Sequence, residues 1–487
     1  MHGPRERRVA ILGAGFSGIC MAIRLKEAGV SFVIYEKADG VGGTWRDNSY
    51  PGAGCDVPSH LYSFSFERRA EWSRHYVEQP EILRYIEDCV ERYGLRPHVR
   101  FGTEIVRARF DDDEGAWHLS TAGGEVFTAD VVVTGLGQLN RPTVPELPGL
   151  ADFKGTAFHS ARWDHAHDLR GERVAVIGSG ASAVQFVPRI APDVARLHVF
   201  QRSPNWVLPR GDAAYSAAAR GAFRRVPGLD RLHRASIFWA LETRALALGG
   251  PTGPMLRALV ERSARKHLEA QVSDLDLRRK LSPDYSIGCK RVLLSDDYYP
   301  ALARENVELV TSPIARVEPD AVVTRDGRRV GVDTIVFATG FDALHFLAPL
   351  DVQGRDGARL AEAWRYGAEA YLGTLVSGFP NFFVLYGPNT NLGHNSIIFM
   401  IECQVHWVMR CLEELRARDR AWLDVRRDAM VASNRALQDR LRATVWVTGC
   451  HSWYKTASGR VTNNWPGFAS RFWLATRKPR FDDFAWG

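Results

Sequence analysis

The sequence predicts an α/β protein in which two parallel, doubly wound units share one chain. Three observations predict it. The runs RVAILGAG at 8–15 and RVAVIGSG at 173–180 are each a continuous apolar strand ending in glycines. Each leads into a segment of helical periodicity, FSGICMAIRLKEAG and ASAVQFVPRIAP, and then into a second apolar strand, SFVIYEK and RLHVFQR. Two later runs, ADVVVTGLGQL at 129–139 and VDTIVFATGFD at 332–342, read as returning strands that close each unit. Strands covered by helices on both faces are expected to be apolar throughout rather than alternating.

The elements follow in order. The first helix is expected to stop at Gly29, where a left-handed residue ends the turn. NRPTVPELPG at 140–149 holds three prolines and reads as a linker. The segment of about 211–284 is rich in Ala, Arg and Leu with helical periodicity and is expected to be a helical insertion in the second unit. From about 380 the chain returns to apolar and aromatic segments, then to a long amphipathic helix near 396–417. The expected division is 1–140 for the first part of one domain, 141–331 for an inserted domain, and 332–487 for the rest of the first together with a C-terminal segment.

The chain has 487 residues, 45% of them hydrophobic, enough for two or three packed domains. A net charge of +7 is mild for this length, and the arginines are interspersed with acids, so nucleic acid is not an expected partner. The seven cysteines include no CxxC pair and are odd in number, which argues against a disulfide framework and a zinc site. No metal is expected, and a reducing cytoplasm fits. The N-terminal stretch lacks the apolar core of a secretory leader, and the longest apolar runs, such as SIIFMI at 396–401, are too short for a membrane span.

The glycine loops carry the first chemistry. Gly13, Gly15 and Gly18 let backbone approach a pyrophosphate seated on a helix N-terminus. Glu36 ends the second strand, where an acid binds the ribose hydroxyls of an adenosine and repels a 2′-phosphate; FAD or NAD fits. The second unit has Gly178, Gly180 and Ala183, but its second strand ends in Arg202 and Ser203 with no acid. A cation and a hydroxyl suit a 2′-phosphate. The two dinucleotide-binding (Rossmann-like) units are therefore read as an FAD domain and an inserted NADP domain, and FAD and NADPH together describe a flavoprotein fed by NADPH.

Four further stretches, GGTWRDNSYPGAGCD at 42–56, FKGTAFHSARWD at 153–164, GCKR at 288–291 and ATGFD at 338–342, together resemble the type I Baeyer–Villiger monooxygenases, relatives of the flavin-containing monooxygenases. The resemblance covers nearly the whole chain. Its sharpest element is similar to the fingerprint FxGxxxHxxxW(P/D), with Phe153, Gly155, His159, Trp163 and Asp164 in register. The resemblance implies that this segment joins the two nucleotide domains and responds to bound NADP(H). It implies a C4a-peroxyflavin that attacks a ketone carbonyl, giving an ester or lactone. It assigns Arg291 to the peroxide and the developing oxyanion, Asp56 to orienting that arginine, and Lys290 to the 2′-phosphate beside Arg202. It places Gly43, Thr44, Trp45 and Asp47 along FAD, Gly340 at a strand end that approaches a nucleotide, and Trp453 on the nicotinamide ribose. GPNTNLGHNS at 387–396 would present helix amides to the flavin.

After Trp453 the sequence departs from the family: KTASGRVTNNWPG stands where a GxNxPGK-like segment is usual. The implied substrate is a small-molecule carbonyl compound, with O2 as co-substrate, and the apolar and aromatic residues around the tail suggest that it is bulky and hydrophobic. N- or S-oxygenation or hydroxylation by the same peroxyflavin stays open. A flavin reductase or dehydrogenase without oxygenation is a remoter alternative; as a disulfide reductase it would need a redox-active CxxC or CxxxxC pair, and none is present.

Overall fold

The computed structural model describes residues 7–447, 449–450 and 452–487. β1 (Val9–Leu12), α1 (Phe16–Glu27), β2 (Phe32–Tyr35), β3 (Val99–Arg100) and β4 (Val131–Thr134) open the chain. β5 (Thr156–His159), β6 (Arg173–Ile177), α2 (Ala181–Ile190) and β7 (Arg196–Phe200) follow. Helices α3 (Leu229–Glu242) and α4 (Gly253–Gln271) precede β8 (Val307–Val310) and β9 (Thr334–Phe337). β10 (Phe382–Val384) and α5 (Ile397–Ala417) then return to the first unit.

These strands make two five-stranded sheets. The first runs β10-β4-β1-β2-β3 and the second β8-β7-β6-β9-β5. Every pairing in both is parallel. β1 and β6 lie centrally, and β1 is buried at all four positions. Ile11, Ile19, Val132, Phe383 and Trp407 fuse α1 and α5 to the first sheet, while Val176, Phe186, Val199 and Leu309 form the core of the second. α1 ends at Glu27, and Gly29 takes φ +67° just past it. No helix of the described residues is long and apolar enough to cross a membrane.

Three expectations need correction. The run 332–342 does supply a returning strand, but the domain boundary expected at 332 falls too early: β9 pairs with β6 and β5 in the second sheet. The crossing back therefore comes after Gly340; two similar apolar strands can be told apart only by what they pair with. The segment 153–164 is less of a linker than its position suggests, because β5 is the edge strand of the second sheet. Gly155 is needed there: a Cβ would collide with the Asp333 carbonyl. Finally, Cys289 and Cys450 form a disulfide. Cys20, Cys55, Cys89, Cys403 and Cys411 are buried free thiols.

Candidate active site

The carboxyl ends of β1, β4, β6 and β9 face one another across a cavity of about 1030 Å³. Parallel sheets bind ligands at this edge, because loops and helix N-termini converge there.

On the first sheet, α1 starts immediately after the glycine loop, with Gly15 as its N-cap. Gly18 does not line the cavity; its role is close packing, since a Cβ would collide with the Gly13 carbonyl. Glu36 is buried at the end of β2, and its carboxylate accepts from the amides of Ala14 at 2.7 Å and Ala38 at 3.0 Å. These bonds aim it into the cavity, where lone pairs remain for two hydroxyls. Residues 44–47 form one helical turn over this loop, and Gly43 approaches Gly15. Trp45 is buried and donates from Nε1 to the Tyr62 hydroxyl at 3.1 Å, while Asp47 accepts from the Arg46 guanidinium at 2.6 and 2.9 Å. Gly43, Thr44, Trp45 and Asp47 all line the cavity. This closed, acid-ended cradle fits FAD.

The second sheet presents a different surface. Gly178 and Gly180 line the cavity, while Ala183 is fully buried beneath them. Past β7, Arg202 is exposed and Ser203 half-buried. Lys290 donates to the Ser203 Oγ at 2.9 Å and lies 4.4 Å from the Tyr285 ring centroid. Burial and then the nearby Arg202 cation lower the Lys290 pKa. Among the described residues neither cation has a carboxylate within ion-pair distance. Two cations held together with a hydroxyl and no acid fit the 2′-phosphate of NADP.

Between the two cradles stands Arg291, whose Nη2 donates to Asp56 Oδ2 at 3.1 Å. Asp56 is held by the loop before it. Gln185 on α2 accepts from the Tyr50 hydroxyl at 2.8 Å and donates to the Gly54 carbonyl at 2.9 Å, locking that loop onto the second unit. A short parallel pairing of 207–208 with 293–294 fixes the chain leaving Arg291. Protein surrounds the Arg291 side chain, yet 41% of its surface is accessible, because it faces the cavity interior. Burial opposes its charge, but Asp56 outweighs that and raises its pKa. The arginine stays a cation at any working pH.

Gly340 and Trp453 line the cavity, Gly340 at φ +84° and Trp453 with its ring 4.5 Å from that of Tyr454. The fingerprint residues stand behind the wall. Phe153 packs on the apolar cluster of the second sheet, and Trp163 packs on Phe186 at 5.3 Å, a ring pair worth about 0.5–1.5 kcal/mol. His159 Nδ1 accepts from the Ala161 amide at 3.1 Å, and the ring meets Phe341 at 5.8 Å. Burial lowers its pKa, partly offset by the Gly340 backbone. The histidine therefore touches the loop holding Gly340, not the cavity. Asp164 is exposed and caps its own turn through the Ala166 amide. Arg162 reaches Asp47 at 3.8 Å, and His165 meets Ser49 at 2.7 Å, so this segment also contacts the first unit.

Sequence reasoning missed a buried amide network. Tyr386 donates to Asn391 Oδ1 at 2.8 Å, and Asn391 donates to Asn464 Oδ1 at 2.6 Å. Asn389 donates to the carbonyls of Val461 and Asn464, and Asn463 to Gln138 and Ala343. The unusual TNN of the tail is thus paired with NTN at 389–391. Two asparagine triplets were the available signal. Glu242 on α3 is buried and accepts from Asn395 at 2.8 Å and from Ser470, tying the helical insertion to the start of α5. Burial would raise its pKa, but bonds from His394, Ser470 and Asn395 bring it below the usual value.

Residues 6–219 match the family described as Flavin-binding monooxygenase-like. A Baeyer-Villiger monooxygenase of Pseudomonas aeruginosa is 48% identical over 477 residues, covering 97% of this chain and 90% of the relative. The structure resembles cyclohexanone monooxygenase from Rhodococcus sp. Phi1 bound to NADP+, with TM-score 0.89, 30% identity and 99% of both chains covered. It also resembles OTEMO in complex with FAD and NADP, with TM-score 0.88, 28% identity and all of both chains covered.

Proposed function

The chain belongs to the Baeyer–Villiger monooxygenases of the flavin-binding monooxygenase-like family, and from that premise we propose how its own residues perform the reaction. It is an FAD- and NADPH-dependent flavoprotein monooxygenase that converts a carbonyl compound to an ester or lactone. When bound, reduced FAD supplies, with O2, the oxygen atom that is inserted.

The first sheet, built from both ends of the chain, holds FAD through the Gly13 loop and Glu36. The inserted sheet holds NADPH through the Gly178 loop, with Arg202, Ser203 and Lys290 on the 2′-phosphate. Arg291 is the catalytic cation. It reaches the junction of the two cradles and carries donors that Asp56 does not use, and these meet negative charge as it develops on the reacting oxygens. Asp56 positions it. The observation that carries this reading is the single Arg291–Asp56 bond at the junction, with the rest of the guanidinium open to the cavity. Trp453 and Gly340 border the nicotinamide side, and the fingerprint segment acts on Gly340 through His159. Ala343, Leu347 and Leu350 on the cavity wall support a hydrophobic carbonyl substrate. A cytoplasmic setting is supported by the five buried thiols, with one bridge as the exception.

The test is a panel of cyclic and open-chain ketones and of sulfides, supplied to purified protein with NADPH and O2, with products identified by mass. Ketones are expected to gain one oxygen atom as esters or lactones. Oxygenation of sulfides alone, with NADPH consumed and no ketone converted, overturns the substrate reading.

A further inference from the structure

We propose that the Cys289–Cys450 disulfide is an oxidation-dependent positioning staple of the active site. It holds the wall that carries Trp453 against the wall that carries Lys290 and Arg291. Opening it uncouples NADPH oxidation from oxygen insertion. The proposal rests on the roles given above to Arg291 and Trp453.

Its place in the chain is the first ground. Cys289 immediately precedes Lys290 and stands two residues before Arg291; Cys450 stands three before Trp453. Lys290, Arg291 and Trp453 all line the same cavity. The bridge joins segments 161 residues apart, one from the insertion-bearing unit and one from the C-terminal tail. Among the described residues no helix or strand is shared by these two segments; beside the bridge they meet through apolar packing and the isolated pairing of Gly249 with Thr444.

The surroundings are the second ground. The bridge sits in a small apolar cluster with Val445, Trp446, Tyr454 and Val461. A Cβ on Gly288 would lie 3.1 Å from Leu248 and 3.3 Å from Val445, so the arginine's segment is pressed against the tail at its base. Apolar packing is non-directional and tolerates sliding. A covalent bond does not. The amide network around Asn391 and Asn464 anchors the far side of the same tail. Bridge and network together clamp the segment that holds Trp453 at both ends.

Closing the bridge joins the two sulfurs and passes two protons and two electrons from the thiols to a peroxide such as hydrogen peroxide, whose O–O bond breaks to give two waters. Opening it with dithiothreitol returns two protons and two electrons to the sulfurs, and the reagent leaves as its cyclic disulfide. A displacement near 1 Å at a reacting centre costs up to about a hundredfold in rate. The expected signature is therefore selective: the FAD cradle, on the other side of the cavity, is untouched.

The experiment counts thiols and product together. Protein purified without reductant and then denatured should titrate five thiols, and seven after dithiothreitol. Folded wild-type protein reduced to seven thiols, and the Cys289→Ser/Cys450→Ser variant, should both keep their FAD. Each should oxidise NADPH within about twofold of the bridged protein, with product per NADPH at least about threefold lower and a raised KM for NADPH, the difference appearing as hydrogen peroxide. Reoxidation of the reduced wild type should restore coupling, which rules out damage to the fold; the variant should not respond. Seven thiols in fully coupled protein purified without reductant overturn the proposal. So does lost FAD or lower melting temperature with unchanged coupling in the molecules that keep FAD. Arg291→Ala assayed alongside separates the failures. Normal coupling in that variant sinks the arginine's role; normal coupling after opening the bridge, with Arg291→Ala uncoupled, sinks only the staple.

Discussion

The two glycine loops have nearly the same backbone and different surroundings. Their N-cap glycines sit at φ/ψ of −83°/−170° for Gly15 and −78°/−164° for Gly180. Gly15 is covered by Gly43, whereas a Cβ on Gly180 would meet nothing within 4 Å. Glu36 beyond the first loop is buried and bonded; Arg202 beyond the second is exposed and has no acid partner among the described residues. On the reading proposed above, the shared loop geometry serves a dinucleotide in both units, and the difference in cover separates a retained cofactor from an exchanging one. The covered site suits a resident cofactor, and the open one suits a cofactor that binds and leaves.

The strongest way to break this comparison is Gly18→Ala. The added methyl would overlap the Gly13 carbonyl, so loop and helix must separate. FAD retention should be lost altogether, seen as colourless protein after gel filtration. A yellow variant with stoichiometric FAD would show that the tight first loop is not what holds the flavin.

Arg291→Ala sharpens the comparison from between the two loops. FAD should remain, because its cradle is built elsewhere. Losing a donor aimed at developing negative charge costs about 10²–10³ in rate, so ester or lactone formation should fall by that factor. Reduction of the flavin by NADPH should fall far less, with the excess appearing as hydrogen peroxide. Stopped-flow reduction measured beside product yield decides it, and normal yield removes Arg291 from the chemistry.

Arg202→Ala probes the open site. A charge-assisted bond to the 2′-phosphate is worth about 1.5–3 kcal/mol, which is about 10- to 150-fold in affinity. KM for NADPH should rise within that range while KM for NADH stays nearly constant. Equal effects on both nucleotides would place Arg202 away from the phosphate.

Local signals made much of this legible. The strand–glycine–helix–strand pattern, Glu36 and Arg202 are each read within about thirty residues of sequence, and pattern reasoning works at that range. Arg291 and Asp56 lie 235 residues apart, and only the family resemblance joined them. The bridge was hidden for a similar reason. An odd cysteine count spoke against a disulfide framework, and no spacing rule pairs residues 161 apart. The Asn391–Asn464 bond was hidden too, because amide triplets read as turns until their partner is known. The boundary at 332 cut β9 from its own sheet because a buried parallel strand carries no mark of its neighbours.

The smallest expected effect comes from the mirror of the first substitution. Ala183 in the second unit occupies the place Gly18 holds in the first, three residues past the N-cap glycine, and it is fully buried without lining the cavity. Helix α2 therefore stands far enough from its strand to admit a methyl that α1 cannot admit. Ala183→Gly removes that methyl and loosens the first helical turn. The methyl accounts for about 0.8 kcal/mol and the backbone for about 0.5–1 kcal/mol, a modest loss of stability. Neither term reaches the phosphate site. FAD content should be unchanged, KM for NADPH should move little, and the melting temperature should fall slightly. A large rise in KM for NADPH would mean that the packing beneath the second loop shapes its nucleotide site after all. The contrast between a loop that tolerates change and one that does not would then rest on Gly43 and its cover alone.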